Sequence, residues 1–166
     1  MKLSIIIPMY NEQESLDALF MELSGLFSQE AKTEIIFIND GSSDDTLSIL
    51  ESKIKNYPSW KVINLYRNYG KSVALQAGFD NSKGEIIATM DADLQDNPKE
   101  IYNLIKELEK GYDVVSGWKK NRKDPLEKKI ASKIFNFFVR VFSGLKIHDS
   151  NCGIKVFKRE VTEMLT

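Results

Sequence analysis

The chain has 166 residues, 42% of them hydrophobic and 28% charged, and a formal net charge of −1. This composition is ordinary for one soluble globular domain with a sizeable core. Its single cysteine, Cys152, and single histidine, His148, exclude an intrachain disulfide, a four-cysteine zinc site and a multi-histidine metal centre. No apolar run reaches the roughly 18 residues of a membrane span, and the N-terminus is too quickly polar for a signal peptide. We therefore expect a reducing, cytoplasmic compartment.

The near-neutral charge hides two oppositely charged parts. Residues 1–118 contain 11 Lys or Arg and 19 Asp or Glu, whereas residues 119–166 contain 12 and 5. The split indicates a cation or polar ligand for the acidic part and an anionic partner for the basic part. Chance clustering of surface charge is the alternative explanation.

Apolar runs and amphipathic repeats alternate along residues 1–118. In chain order, the spacing predicts a strand at 3–7, a helix at 16–27, a strand at 34–38, a helix at 44–55, a strand at 61–65, a helix at 71–81, a strand at 86–90, a helix at 98–110 and a strand at 113–116. This alternation predicts an α/β fold with a mostly parallel sheet and helices on both faces.

The remaining residues have a different character. A basic loop at 119–125 precedes a predicted amphipathic helix at 127–145, a half-buried strand at 153–157 and the start of a helix at 159. Residues 119–140 carry eight basic and two acidic groups. The helix therefore has two interpretations: its apolar face packs on the core, or it lies on an anionic membrane surface with its basic residues above the lipid.

Polar clusters follow four of the predicted strands, and ligands of parallel sheets bind at such strand ends. These clusters are residues 10–12, 39–42, 67–68 and 91–93. Asp91 and Asp93 point to the same side in extended geometry and offer hard oxygen ligands for Mg²⁺ or Mn²⁺; turn-forming aspartates are the alternative. Asp40 suits a nucleobase or ribose, or the N-cap of the following helix.

Three further features have simple explanations. Gly70-Lys71-Ser72 is not a phosphate-binding P-loop, because Leu65 occupies the position of the required first glycine, so Lys71 is expected to begin a helix. Cys152 is expected to be a small buried side chain. Asp149, beside His148, is either a surface-loop residue or a site carboxylate.

Taken together, these motifs resemble a known family. Residues 5–12 (IIIPMYNE), 39–42 (NDGS), 67–71 (RNYGK) and 90–98 (MDADLQDNP) resemble, in this order, the family 2 glycosyltransferases of the Rossmann-like GT-A fold. Residues 91–98 and 149–157 are similar to the polyprenyl-phosphate sugar transferase branch, which includes dolichyl-phosphate mannose synthase. The resemblance implies metal-dependent, inverting transfer of a sugar from a UDP- or GDP-linked donor to a polyprenyl phosphate, using Mg²⁺ or Mn²⁺.

The resemblance also implies roles for individual residues. Asp93 and Asp91 are the expected metal ligands, and Gln95 is expected close to the sugar and the acceptor. The expected nucleotide-binding residues are Pro8, Tyr10, Glu12, Asp40 and Asp91. The expected catalytic residues are Asp93, Gln95 and Asp149, and the acceptor phosphate is expected at Lys119, Arg122, Lys128, Lys129 and Ser132. The family usually has an arginine where Trp118-Lys119 stands, and lysine lacks the bidentate geometry of arginine.

The resemblance further predicts the organisation of the chain. We expect one GT-A domain over residues 1–166, with a nucleotide-sugar-binding part at 1–118 and a basic, acceptor- and membrane-proximal part at 119–166. Family members continue further, so the chain is expected to be C-terminally short and peripheral at the inner face of the membrane. Transfer to a saccharide hydroxyl in cell-surface polysaccharide synthesis and a catalytically silent nucleotide-sugar-binding module are the alternatives. Nucleic-acid binding is not expected, because the basic segment lacks a recognised motif. The sequence does not specify the sugar, the donor base or the oligomeric state.

Overall fold

The computed structural model describes residues 2–118 and 152–164. The elements in chain order are β1 (Leu3–Met9), α1 (Leu16–Phe27), β2 (Thr33–Asn39), α2 (Thr46–Lys53) with a 3₁₀ turn (Ile54–Asn56), β3 (Trp60–Asn64), α3 (Lys71–Asn81), β4 (Ile86–Thr89), α4 (Glu100–Leu108), β5 (Val114–Ser116), β6 (Lys155–Lys158) and α5 (Arg159–Glu163). The basic loop and the amphipathic helix expected at 119–145 lie outside the described residues.

The strands form one six-stranded sheet in the order β3-β2-β1-β4-β6-β5. β1 pairs in parallel with both β2 and β4, and β2 pairs in parallel with β3. β6 runs antiparallel to its neighbours β4 and β5. This arrangement confirms the α/β fold with a mostly parallel sheet. Alternating polarity predicted the strand near 155, but not its direction or its place between β4 and β5.

Helices cover both faces of the sheet because alternate strand residues point to opposite sides. Ile5 and Ile7 of β1 are fully buried in the larger core, together with the apolar face of α1. Ile6 is fully buried in a second, smaller core that includes Ala74 of α3. Strands covered on both faces are expected to read as continuous apolar runs, as β1 does.

Two predicted helices begin later than their sequence patterns suggest. α2 begins at Thr46 because the Asp44 carboxylate accepts the N–H groups of Thr46 and Gln13, at 3.1 and 3.3 Å, in a turn before the helix. α4 begins at Glu100 because the Asn97 side chain accepts the Lys99 N–H at 3.0 Å, in the turn that precedes it. Within residues 2–118 and 152–164, no helix is both long and apolar enough to cross a membrane.

Candidate functional site

A cavity of about 290 Å³ opens where β1, β2 and β4 end. It is lined by Pro8, Met9, Tyr10, Glu12, Asp40, Asn68, Gly70, Lys71, Ala74, Asp91, Ala92 and Asp93. All six residues expected to contact the nucleotide or the metal are in this set. The parallel strands explain the convergence, because their carboxyl ends meet at one edge and open sheets bind ligands there.

The acidic end of the cavity is formed by the loop that follows β4. Asp91 accepts a charged hydrogen bond from the ammonium of Lys71, and the carboxylate of Asp93 accepts the backbone N–H of Gln95 at 3.1 Å. No group of three or more Asp, Glu, His or Cys side chains in the described part of the chain could hold a metal ion alone. Two carboxylates still suit Mg²⁺ or Mn²⁺, because such ions are commonly held by one or two carboxylates together with substrate phosphates.

Asp40 fixes a loop at the opposite wall of the cavity. Asp40 is only 4% exposed, and its two carboxylate oxygens accept hydrogen bonds from the backbone N–H groups of Tyr69 and Gly70, each at 2.8 Å. Gly41 follows with φ of +65°, and a Cβ there would lie 2.3 Å from the carbonyl carbon of Arg67. Asp40 therefore does not cap α2, which was one of its two sequence interpretations. The carboxylate supports the backbone of residues 69–70.

Tyr10 lines the cavity, and a second exposed aromatic residue, Tyr69, lies between the lining residues Asn68 and Gly70 in the chain. Tyr10 and Tyr69 are each 46% exposed, and the guanidinium of Arg67 lies 5.0 Å from the centre of the Tyr69 ring. The backbone beside Tyr10 is fixed, since Asn11 donates its N–H to the hydroxyl of Ser42 at 2.9 Å. The exposed ring of Tyr10 presents a flat, partly apolar surface of the kind that accepts a planar base.

Gln95 does not line this cavity. Gln95 lines a neighbouring groove of about 590 Å³ between α1 and residues 94–99, and its backbone N–H donates to the Asp93 carboxylate. The remaining expected residues, Asp149 and the acceptor set Lys119, Arg122, Lys128, Lys129 and Ser132, lie outside the described residues.

Two neighbours of Asp91 were not identified as site residues from the sequence. Lys71, predicted only to begin a helix, does begin α3 and also reaches the Asp91 carboxylate. Gly153 packs against the same carboxylate from the strand-β6 side. The place of Lys71 soon after the polar cluster at residues 67–68 was an available signal, whereas the approach of Gly153 depends on the antiparallel insertion of β6.

The profile of Glycosyl transferase family 2 matches residues 4–166. The chain belongs to this family.

Curated relatives of this family 2 chain match almost all of it. It is 35% identical over 169 residues to the dodecaprenyl-phosphate galacturonate synthase of Rhizobium johnstonii, covering 99% of this chain and 50% of that protein. It is 39% identical over 166 residues to the undecaprenyl-phosphate 4-deoxy-4-formamido-L-arabinose transferase of Serratia proteamaculans, covering 99% of this chain and 51% of that protein. The chain thus spans about half the length of the curated relatives it matches.

Solved structures show the same fold at low sequence identity. The mannosyltransferase PcManGT of Pyrobaculum calidifontis, in complex with GDP-Man and Mn²⁺, has a TM-score of 0.74 at 22% identity, covering 99% of this family 2 chain and 46% of the other. The glucosyl-3-phosphoglycerate synthase of Mycobacterium tuberculosis, in complex with Mn²⁺, UDP and phosphoglyceric acid, has a TM-score of 0.76 at 17% identity, covering 96% and 56%. The expected GT-A type of fold is confirmed.

Proposed function

We propose that this protein is an inverting glycosyltransferase that moves a sugar from a UDP- or GDP-linked donor to a polyprenyl phosphate at the cytoplasmic face of the membrane. The observation that carries the proposal is the meeting of Pro8, Tyr10, Glu12, Asp40, Asp91 and Asp93 around one cavity. The acceptor class is supported by the curated relatives, which are named for transfer to dodecaprenyl and undecaprenyl phosphate.

The cavity offers different chemistry to the two ends of a nucleotide-sugar. Tyr10 and the Asp40 wall suit the nucleoside, because they combine an exposed ring with a buried, tightly bonded loop. Asp91 and Asp93 suit a divalent cation beside the diphosphate. A bound Mg²⁺ or Mn²⁺ would neutralise charge on the departing diphosphate as a Lewis acid. Two structural neighbours, in complex with GDP-Man and Mn²⁺ or with UDP and Mn²⁺, support this assignment.

The transfer itself is a single displacement. An oxygen of the acceptor phosphate attacks the anomeric carbon of the sugar from the face opposite the leaving group. The new carbon–oxygen bond forms as the bond to the donor diphosphate breaks, and the electron pair leaves with the nucleoside diphosphate, so the configuration inverts. Because the acceptor is already an anion, no strong base is needed to remove a proton. We assign Gln95 and Asp149 to the neighbourhood of the sugar and the acceptor.

The basic part of the chain would bind the acceptor. A phosphate needs cationic partners, and Lys119, Arg122, Lys128, Lys129 and Ser132 are the residues we assign to it. The eight basic groups in residues 119–140 also favour an anionic membrane surface, where each contributes about 1 kcal/mol. Both assignments place the acceptor chemistry in the segment that follows β5.

Thermal unfolding with UDP, GDP and their sugars, each with and without Mn²⁺, tests the donor site. A ligand at 100 times its dissociation constant stabilises the folded state by about 2.7 kcal/mol. We expect a metal-dependent stabilisation by one of the two nucleotides that is lost in Asp93→Asn and kept in Asp80→Asn, an exposed carboxylate on α3. No stabilisation by any nucleotide would contradict the proposal.

A transfer assay on the protein tests the acceptor. Labelled donor is incubated with polyprenyl phosphate in vesicles or with soluble saccharides. We expect a lipid-linked product, and we expect Lys128→Ala and Arg122→Ala to reduce its formation without weakening nucleotide binding. Label transferred only to a saccharide hydroxyl would favour the alternative acceptor. Nucleotide binding with no transfer to either acceptor would favour a silent binding module.

A further inference from the structure

Lys71 has an anchored backbone and a partly exposed ammonium group. The residue begins α3 directly after Gly70, whose φ is +91° and whose N–H is held by the buried Asp40 carboxylate at 2.8 Å. Beyond this anchored backbone, the lysine side chain is 54% exposed and its ammonium forms an ion pair with Oδ1 of Asp91. Four methylene groups join the two ends, so the ammonium can move while the start of the helix stays in place.

The Lys71 ammonium is bound to one of the two carboxylate oxygens of Asp91, which with Asp93 forms the proposed metal-binding pair. Gly153 packs against Oδ2 of Asp91, where a Cβ would lie 2.5 Å away, and Lys71 takes Oδ1. A divalent cation that binds Asp91 must share this carboxylate with the ammonium or displace it. A metal ion and an ammonium group bound to the same carboxylate repel each other, so displacement of the ammonium is favoured over sharing.

We propose that Lys71 makes divalent-cation binding depend on the donor. Without a nucleotide, the ammonium holds Asp91 and weakens the binding of a metal ion. When the donor enters, its diphosphate gives the ammonium another anionic partner and thereby frees Asp91 for the cation. This inference rests on the proposed function, because it takes Asp91 as a metal ligand and the diphosphate as the neighbouring anion.

The proposal predicts a coupling between metal binding and nucleotide binding that can be measured. If nucleotide binding releases Lys71 from Asp91, then nucleotide must raise the affinity for the metal, and metal must raise the affinity for nucleotide by the same factor. Removing the ammonium should break part of this coupling. The variant Lys71→Met should bind free Mn²⁺ more tightly than the wild type while gaining less from added nucleotide.

The test is titration of the protein with Mn²⁺ alone, followed by electron paramagnetic resonance or calorimetry, and repeated with saturating UDP or GDP. We expect Lys71→Met and Lys71→Gln to raise the affinity for Mn²⁺ alone by about threefold to tenfold, as expected for loss of a competing ion pair and a nearby like charge. Lys71→Arg keeps the charge and should stay close to the wild type. Lys110→Met is the matched control, since it removes an exposed lysine that pairs with Glu107 in the same way.

The outcomes separate the inference from the proposed function. Unchanged affinity of both Lys71 variants for Mn²⁺ alone, with metal-dependent nucleotide binding intact in the wild type, overturns the inference and leaves the function standing. An equal rise in Lys110→Met also overturns it, because the effect would then be general charge. A wild type that binds no nucleotide with Mn²⁺ overturns both.

Discussion

The backbone of Gly153 lies against the carboxylate of Asp91, and a Cβ at position 153 would stand 2.5 Å from both Cγ and Oδ2 of that aspartate. The contact is held in place by the hydroxyl of Thr89, which donates to the carbonyl of Gly153 at 3.0 Å. The position of a proposed metal ligand is therefore set by a residue from the far end of the chain, brought there by the insertion of β6 beside β4.

Replacing Gly153 by alanine should displace the Asp91 carboxylate. We expect Gly153→Ala to weaken Mn²⁺-dependent nucleotide binding by about tenfold, as for other changes to residues that orient metal ligands. The measurement is a nucleotide titration at fixed Mn²⁺ concentration. Gly25→Ala on α1 is the control, because a Cβ there meets no atom within 4 Å. Equal affinities for the two variants would show that Asp91 tolerates the added methyl group.

The Asp40 carboxylate should stabilise the protein even without a ligand. In Asp40→Asn, an NH₂ group replaces one of the two carboxylate oxygens. This group cannot accept the hydrogen bond that Tyr69 or Gly70 donates at that position. Hydrogen bonds to a charged group contribute about 1.5–3 kcal/mol, and these two are partly buried, so we expect Asp40→Asn to lower the free energy of unfolding by about 1–3 kcal/mol. Urea denaturation of the nucleotide-free protein measures it, with Asp80→Asn as control. If Asp40 served only to contact a nucleoside, the ligand-free stability would not change.

Glu34 should make folding sensitive to acid. Burial acts to raise the pKa of its carboxyl group, but hydrogen bonds from Ser4 at 2.6 Å and the Lys83 N–H at 2.5 Å outweigh it. The charge of Lys61 acts in the same direction, so the pKa is lowered from its ordinary value. A carboxyl group with a lowered pKa stabilises the folded state at pH values above its ordinary, unfolded-state pKa. This stabilisation is lost as the pH falls through the pKa of the folded state.

The corresponding experiment compares urea unfolding at pH 6 and near pH 3.5. Relative to the wild type, Glu34→Gln should be less stable at pH 6 and should lose less of its stability on acidification. Glu51→Gln, which removes an exposed carboxylate on α2, serves as the control. A wild-type acid response that is the same in Glu34→Gln would assign the acid sensitivity to other carboxylates.

Gly78 should determine how closely α3 approaches the sheet. A Cβ at this position would lie 2.3 Å from Cγ2 of Ile6, the buried β1 residue on that face. Overpacking of this kind costs about 1–3 kcal/mol, so we expect Gly78→Ala to lower the free energy of unfolding by that amount. In a double-mutant cycle, Ile6→Ala should remove most of the added cost of Gly78→Ala, because it removes the clashing methyl group. Additive effects would place the clash elsewhere.

Much of the fold was predictable because its local signals agree with its tertiary structure. The apolar spacing in residues 16–27 gave the bounds of α1, and the apolar face it predicted is buried. The polar clusters after the parallel strands predicted where the cavity lies, because parallel strands bring their carboxyl ends to the same edge of the sheet. Both predictions used short-range patterns whose three-dimensional consequence is fixed by the α/β architecture.

Other features required long-range contacts that no local pattern contains. The turn before α2 includes a hydrogen bond from the Gln13 N–H to the Asp44 carboxylate, made between separate loops. The direction of β6 depends on pairing with β4, which is distant in the sequence. Asp40 lines the cavity as expected from its place after a strand, but its two hydrogen bonds to backbone N–H groups of another loop had no signal in the sequence. Gln95 lines a different groove from Asp93, although only one residue separates them in the chain.

The register of the last two strands has a consequence for how this fold can diversify. Ser116 at the end of β5 pairs with Lys155 at the start of β6, and the Gly117 N–H donates to the carbonyl of Ile154 at 3.0 Å. The chain therefore leaves the sheet and returns to it at adjacent points, next to the acidic pair. Because the entropy of joining two points of a chain changes only slowly with the number of residues between them, the number of residues between 118 and 152 can vary at little energetic cost to the strands. One donor-binding half could in this way be joined to many different acceptor-recognising inserts.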